Sequence, residues 1–131
     1  MKWLWCLVFA VVACGDIRMG FAANDFPYEQ ELILDVAPMR GSKRIPNMDV
    51  AANGAMALEM WCNRVEGQVV VAADTITVLA GSPTDRQCPP ERARGDAELL
   101  TALTEVTSWR REGNTMLLIG PKTLRFRIPT N

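Results

Sequence analysis

The chain has 131 residues, of which 49% are hydrophobic and 22% charged, a composition typical of one ordinary globular domain. Its formal net charge of −1 gives no basic footprint for a nucleic-acid partner. It contains no histidine, so a Ser-His-Asp or Cys-His nucleophile and a Cys-His zinc site cannot form within the chain. We therefore expect no catalytic residue, no metal site and no cofactor.

Residues 1–22 have the pattern of an export signal. Lys2 supplies a short positive start, and an uninterrupted apolar run of 11 residues follows it directly. Such a run is too short to span a bilayer as a helix, which takes about 20 residues, but it fits the apolar core of a signal peptide. A small-any-small pattern then predicts cleavage between Ala22 and Ala23, which leaves residues 23–131 as a single mature domain.

A second interpretation of the same region stays open. Val11-Val12-Ala13-Cys14 resembles a lipobox, in which Cys14 would carry lipid and anchor the protein to a membrane. The segment before Cys14 is short for such a signal, so we favour simple cleavage and a periplasmic or secreted protein. In both cases the mature chain lies outside the cytoplasm, has no transmembrane span and is expected to be a monomer.

Alternating and β-branched patterns predict strands in the first half of the mature chain. The predicted strands cover residues 29–37, 55–62, 67–73 and 75–79, and residues 48–52 are a short strand candidate. Asn53-Gly54 predicts a type I′ hairpin, whose two central residues both need positive φ. One face of the run 55–62 is wholly apolar, so Cys62 is expected to point into the core together with Met56, Leu58 and Met60.

In the second half of the chain, the sequence predicts a helix after the proline-rich loop of residues 81–90. Asp96 is a suitable N-cap, and apolar residues follow it at helical spacing, which predicts a helix over residues 96–107. Gly95 argues against one continuous helix from Pro90, although a short helical turn over residues 90–94 stays open.

Three further strands are predicted over residues 108–111, 116–119 and 124–128. The helix and the strands together predict an α+β fold. Its antiparallel sheet has about seven strands and curls into a partly open barrel, with one main helix packed on it.

The order of motifs points to a family. A strand ends in Cys62-Asn63-Arg64, a second cysteine follows Thr84-Asp85-Arg86-Gln87, and a helix and a Gly113-Asn114 hairpin come next. This order resembles the META domain, the family of the HslJ heat-shock proteins of bacterial envelopes, over about residues 29–128. The resemblance implies a small extracytoplasmic domain without established enzyme activity, linked to stress tolerance and envelope or secretion-related roles. The chain departs from the family at Trp61, where a small residue is common.

Cys62 and Cys88 are the two cysteines that remain after cleavage at Ala22. An even pair in an oxidising compartment predicts a disulfide, which would stabilise the fold by roughly 3 kcal/mol if unstrained. The chain has no Cys-X-X-Cys motif, so oxidoreductase chemistry is not expected. Two buried free thiols or one reactive thiol stay open as alternatives.

The functional hypothesis is therefore binding rather than catalysis. Arg110, Arg125 and Arg127 are predicted on the outer face of neighbouring strands, and with Trp61 and Arg64 they form a possible partner surface. A solvated sheet face is the alternative for the arginines, and a second small core beneath the helix is the alternative for Trp61.

We expect an exported non-enzymatic domain that binds an unknown envelope protein, peptide or apolar ligand. A disulfide-stapled structural or redox-responsive stress protein is the second hypothesis. An enzyme of unknown reaction is the third, and the sequence offers no substrate for it.

The intact mass of the protein isolated from its producing cell tests the processing predictions together. We expect the mass of an unlipidated chain that starts at Ala23. This mass should increase by that of two hydrogen atoms when a dithiol reduces the disulfide. A mass that includes acyl chains on Cys14 would support the lipoprotein interpretation instead, and a mass unchanged by the dithiol would contradict the disulfide.

Overall fold

The computed structural model describes residues 25–130. The predicted signal peptide, its cleavage between Ala22 and Ala23, and the Cys14 alternative lie outside these residues. The described part contains eight strands and one helix, α1, between the fifth and sixth strands. Their bounds are β1 (Leu32–Leu34), β2 (Asn47–Val50), β3 (Ala55–Glu59), β4 (Arg64–Ala72), β5 (Thr75–Ala80), α1 (Pro90–Thr104), β6 (Ser108–Glu112), β7 (Thr115–Ile119) and β8 (Leu124–Arg127).

The strands pair antiparallel in chain order and close into a barrel. Closure comes from β1 and β8, in which Ile33 pairs with Arg127 and Leu34 with Phe126. The predicted α+β fold, with a curled antiparallel sheet and one main helix, is confirmed. The sheet has eight strands instead of about seven, and it is closed, because the short strand β1 bonds to both β2 and β8.

The junction of β5 with β6 is the weakest part of the barrel wall. One residue pair, Thr75 with Ser108, joins these strands, whereas every other neighbouring pair in the barrel has at least two. Helix α1 packs against β5 at this junction, and its Leu99 and Leu103 are buried in the same core as Ile76. The helix therefore completes the wall where the strands separate. Within residues 25–130, no helix has the length and apolar character needed to cross a membrane.

Alternate residues of the strands fill the barrel interior. Met56, Leu58 and Met60 are buried as predicted, and each large apolar side chain of this kind stabilises the fold by about 1.5–3 kcal/mol when fully buried. The prediction that Cys62 shares their face is wrong. β3 ends at Glu59 and the chain then bends, so Cys62 is half-buried outside the core.

The predicted hairpin between β2 and β3 is present, but its turn is not type I′. Among the two residues of the signal, Gly54 has a positive φ of +88° and Asn53 does not. Gly54 N–H donates to Ala51 O at 2.8 Å, and Asn53 Oδ1 accepts from Ala55 N–H at 3.0 Å. The local hydrogen bond of the Asn53 side chain thus favours a longer turn that needs one left-handed residue.

Helix α1 begins at Pro90, and Gly95 lies inside it, so the prediction of a helix start at Asp96 is wrong. A glycine in a helix interior costs about 1 kcal/mol relative to alanine. Here it allows close packing, because a Cβ at position 95 would lie 2.8 Å from Trp61 Cδ1 and would also meet Met39. Tertiary packing therefore overrides the local preference of glycine.

Substitution Gly95→Ala tests this packing. The added methyl group collides with Trp61, and overpacking of this kind costs about 1–3 kcal/mol, which exceeds the helix-propensity gain of about 1 kcal/mol. We expect a lower free energy of unfolding in urea titrations. The matched control is Ala97→Gly at an exposed position of the same helix, where alanine should be the more stable residue. A stabilised Gly95→Ala variant would contradict the close approach.

Candidate functional site

The bend after β3 is held by a buried carboxylate of α1. Within the bend, Met60 N–H donates to Asn63 O at 2.9 Å. The two carboxylate oxygens of Asp96 accept the backbone N–H groups of Cys62 at 3.1 Å and Asn63 at 2.7 Å. Asp96 is 6% exposed, and among residues 25–130 no other charged residue is buried. Two backbone donors therefore compensate its burial, since hydrogen bonds to a charged group contribute about 1.5–3 kcal/mol each.

The predicted disulfide between Cys62 and Cys88 is confirmed. Their Cα atoms are 6.1 Å apart, within the usual range for a disulfide, and the residues are 26 positions apart in sequence. The alternatives with free thiols therefore do not describe this structure. The bond joins the bend to the segment immediately before α1, and in the chain-entropy account a loop of this size gives about 3 kcal/mol of stability.

A side-chain network reinforces the disulfide. Asn63 Oδ1 accepts from Thr84 Oγ1 at 2.9 Å and from Arg86 N–H at 2.8 Å, while Asn63 Nδ2 donates to Cys88 Sγ at 3.4 Å. Thr84 Oγ1 in turn accepts Arg64 N–H at 2.9 Å. We call the disulfide and the side chains of Asn63, Thr84 and Asp96 the latch. It fixes the bend to both the loop before α1 and the helix itself.

Trp61 lies beside the latch, and its side chain is buried rather than exposed. The residue is 8% exposed, and its ring packs against Gly95. This position agrees with the alternative of a second small core beneath the helix. Because Trp61 directly precedes Cys62, and Gly95 directly precedes Asp96, the latch also sets the distance between the tryptophan and the helix.

Trp61 forms part of a cleft of about 330 Å³ between α1 and the barrel. Most residues that line this cleft are apolar, and four charged residues lie among them. The lining residues are Leu34, Asp35, Val36, Met39, Trp61, Gly95, Glu98, Leu99, Lys122, Thr123, Leu124 and Arg125. We call this space the helix–barrel cleft.

The lining of the helix–barrel cleft carries both signs of charge. Lys122 and Arg125 come from the start of β8 and the turn before it, whereas Asp35 follows β1 and Glu98 projects from α1. All four are exposed residues. Asp35 also lies near Arg127, with Oδ1 3.9 Å from Nε. An apolar surface with charges of both signs beside it suits an apolar group carried on a polar chain.

The structure brings three of the five predicted surface residues together. Arg110 and Arg125 both pair with Leu117, one from each side, and Arg127 follows on β8. These arginines are exposed as predicted, but Arg110 forms an ion pair with Glu112 at 2.9 Å. The acidic neighbours of Arg110 and Arg127 therefore partly compensate this patch.

Arg64 lies on a different part of the surface. Its guanidinium bonds to Glu59 and to Glu66, at 3.1 Å each. Glu59 also forms an ion pair with Arg44. Trp61 and Arg125, in contrast, both line the helix–barrel cleft, so one pair from the predicted set shares a candidate site.

Besides Cys62, sequence reasoning also places Gly95 and Asp96 of this site incorrectly. Their local pattern predicts an N-cap at Asp96 and a break before the helix at Gly95. The signal that could have indicated this site is a glycine followed by an aspartate within a helical pattern. The glycine allows another segment to pack closely against the helix, and the aspartate can accept hydrogen bonds from the backbone of that segment. The pattern alone does not say which bend.

The fold and the site together define a small antiparallel barrel that is completed by one helix, and a disulfide joins the bend after β3 to the segment just before that helix. The chain belongs to the META domain family, whose model matches residues 30–128. This match confirms the resemblance that the cysteine, helix and hairpin motifs indicated.

Solved structures agree with this assignment at the level of the fold. One protein structure determined by NMR matches with a TM-score of 0.64 and 15% identity, over 81% of this chain and 93% of that chain. An NMR structure of a protein from Burkholderia xenovorans matches with a TM-score of 0.66 and 17% identity, over 84% and 88% of the two chains. No curated protein matches the sequence significantly.

Substitution Asp96→Asn tests the carboxylate of the latch. The variant keeps one acceptor oxygen but turns an amide NH₂ toward one of the two backbone donors, so one buried N–H loses its partner. We expect a loss of about 1–3 kcal/mol in the free energy of unfolding, measured by urea titration. Glu98→Gln makes the same chemical change at an exposed position of α1 and should have little effect. Equal effects of the two substitutions would contradict the role of Asp96.

Proposed function

We propose that this protein is an exported, non-enzymatic META domain of the cell envelope that binds an apolar group of a partner in the helix–barrel cleft. Membership of the META family supports an envelope- and stress-related role. The signal-like pattern of residues 1–22 and the Cys62–Cys88 disulfide support an oxidising compartment.

The observation that carries the proposal is the apolar lining of the helix–barrel cleft. Trp61, Leu99 and Leu124 are largely buried residues that nevertheless line this space. Its volume of about 330 Å³ falls at the lower end of the range of small-molecule sites, about 300–1,000 Å³. The space therefore suits a small apolar group better than a long lipid chain.

The charges of the lining favour a peptide as the carrier of that group. Lys122 and Arg125 can bind a carboxylate or carbonyl oxygens, while Asp35 and Glu98 can bind ammonium groups or backbone N–H donors. An extended polypeptide that presents one apolar side chain between polar groups satisfies both kinds of partner. Such segments are exposed when envelope proteins unfold, which connects the cleft to a stress role.

A structural or redox-responsive stress protein is the second candidate. The latch favours it, because a disulfide that is tied to a helix through Asn63 and Asp96 stabilises the fold directly. In that case the cleft would be a packing defect, and no ligand would be required.

Tryptophan fluorescence distinguishes these candidates. The mature chain contains two tryptophans, Trp61 and Trp109, so Trp109→Phe leaves Trp61 as the reporter in the cleft. The probe is a capped pentapeptide with a central leucine between a lysine and a glutamate. We expect a saturable change in Trp61 emission, and no saturable change with the same peptide that carries a central serine.

A pair of valine substitutions provides the matched control. Val36 lines the cleft and is 42% exposed, whereas Val70 lies on β4 and is 51% exposed. Val36→Glu should weaken peptide binding about tenfold or more, because each lost tenfold corresponds to about 1.4 kcal/mol and a buried apolar contact is worth that amount. Val70→Glu should leave binding unchanged. Binding that is insensitive to Val36→Glu, or absent with both peptides, would contradict the proposal.

A further inference from the structure

The first turn of α1 has few contacts with the rest of the fold, although Pro90 at the first helical position and Glu91 favour a helix start. Pro89, at the N-cap position, offers no side-chain hydrogen bond to the free N–H groups of the helix start. Residues 91–94 are exposed or half-buried, and the buried positions of the helix begin at Gly95. A helix end with neither a side-chain cap nor buried apolar contacts belongs to the least stable parts of a fold.

Besides the hydrogen bond from Asn63 Nδ2 to Cys88 Sγ in the latch, two contacts outside the helix hold this turn in place. Cys88 is bonded to Cys62 two residues before the helix begins. Arg92 Nη2 donates to Gly41 O at 3.0 Å, which ties the helix to the loop that contains Met39. The hydrogen bond is exposed to solvent, so the disulfide is the stronger constraint.

The same turn leads directly into the wall of the helix–barrel cleft. Gly95 packs against both Trp61 and Met39, and all three line the cleft. Fraying that reaches Gly95 would therefore separate the helix from Trp61. It would also release the loop of Met39, because Arg92 lies in the frayed turn.

We infer that the oxidation state of the Cys62–Cys88 pair controls the order of the first turn of α1 and, through Gly95 and Trp61, the wall of the helix–barrel cleft. The bonded state keeps the turn and the wall in place, and the reduced state lets the turn fray as far as the Asp96 carboxylate. The consequence for ligand affinity rests on the function proposed above, whereas the change in the cleft wall does not.

The reductant in this scheme is a dithiol. It breaks the bond between the two sulfurs, becomes a disulfide itself, and leaves its two protons on Cys62 and Cys88, so atoms and electrons balance. Access is provided on the Cys88 side, because Cys88 is half-buried while its neighbours Gln87 and Pro89 are exposed. Reversal requires an oxidising disulfide of the same chemical class.

Hydrogen exchange of the full mature protein tests the change in order. Amide exchange is compared before and after reduction with a dithiol, at residues 93–96 of α1 and at residues 116–118 of β7. We expect exchange at 93–96 to accelerate about tenfold or more, with a much smaller change in β7. A Cys62→Ser/Cys88→Ser double variant should reproduce the reduced pattern. Equal acceleration in both segments, or none in α1, would overturn the inference.

A restored helix cap tests the cause of the change. Pro89 has φ −54° and ψ 143°, an extended conformation that also suits an aspartate N-cap. In reduced Pro89→Asp protein, protection at residues 93–96 should return toward that of the oxidised protein. Pro83→Asp exchanges the same residue types in the preceding loop, away from the cap, and should not restore it. Restoration by both variants, or by neither, would count against fraying as the mechanism.

The accessibility of Trp61 separates this inference from the proposed binding function. In the Trp109→Phe background, reduction should increase collisional quenching of Trp61 by acrylamide about twofold or more, without any ligand present. Pentapeptide affinity should fall about tenfold in the same reduced sample. Increased quenching without peptide binding in either state would contradict the proposed function and support the inference, whereas unchanged quenching would contradict the inference even if the peptide binds.

Discussion

The arrangement of helix and barrel depends on one interaction. The carboxylate of Asp96 accepts hydrogen bonds from two backbone N–H groups of the bend after β3. A carboxylate that is 6% exposed is tolerated in a protein interior when charge-assisted hydrogen bonds replace its water. The bend at Cys62 and Asn63 supplies two such bonds at 3.1 and 2.7 Å. Because these donors belong to the backbone, the bend can satisfy the carboxylate in one orientation and cannot slide along the helix.

The position of this bend determines the neighbouring features. It directs Asn63 toward Thr84 and Arg86, so that the loop after β5 follows a fixed path to Cys88. It also places Trp61 on Gly95, where the absence of a Cβ allows contact. The wall of the helix–barrel cleft at Trp61 thus depends on one polar contact and on the missing Cβ of Gly95. The Asp96 hydrogen bonds and the close approach at Gly95 bury little apolar surface. They position the helix, whereas the apolar core of the barrel supplies most of the stability of the fold.

The fold class was predictable because it depends on local patterns. The alternation in β8, in which Leu124 and Phe126 are buried and Arg125 and Arg127 are exposed, is visible in the sequence and is confirmed. The disulfide was also predictable, since it required only an even number of cysteines and a compartment. The closure of the barrel was not, because β1 has three residues and carries too little pattern to indicate that it bonds on both edges.

The candidate site was less predictable because its residues have unusual roles. Gly95 and Asp96 have the sequence signature of a helix boundary, and only tertiary packing moves that boundary to Pro90. Trp61 has the signature of an exposed face of β3, but the strand ends two residues earlier and the ring turns toward the helix. In each case the decisive partner lies on a distant segment of the chain, as the separations of 34 and 33 residues between Asp96 and its two donors show. The hydrophobic periodicity of a short segment does not indicate such a distant partner.

The pairing of β1 with β8 also has a consequence for the order in which the chain assembles. Ile33 and Arg127 stand near opposite ends of the described chain, and contacts of such separation form slowly because a long loop must close first. The hairpin of β4 and β5 needs only its own nine- and six-residue strands, and it brings the segments that carry Cys62 and Cys88 close together. We therefore expect the Cys62–Cys88 disulfide to form before β1 and β8 have paired. Closure by the first and last strands is then the step that completes folding.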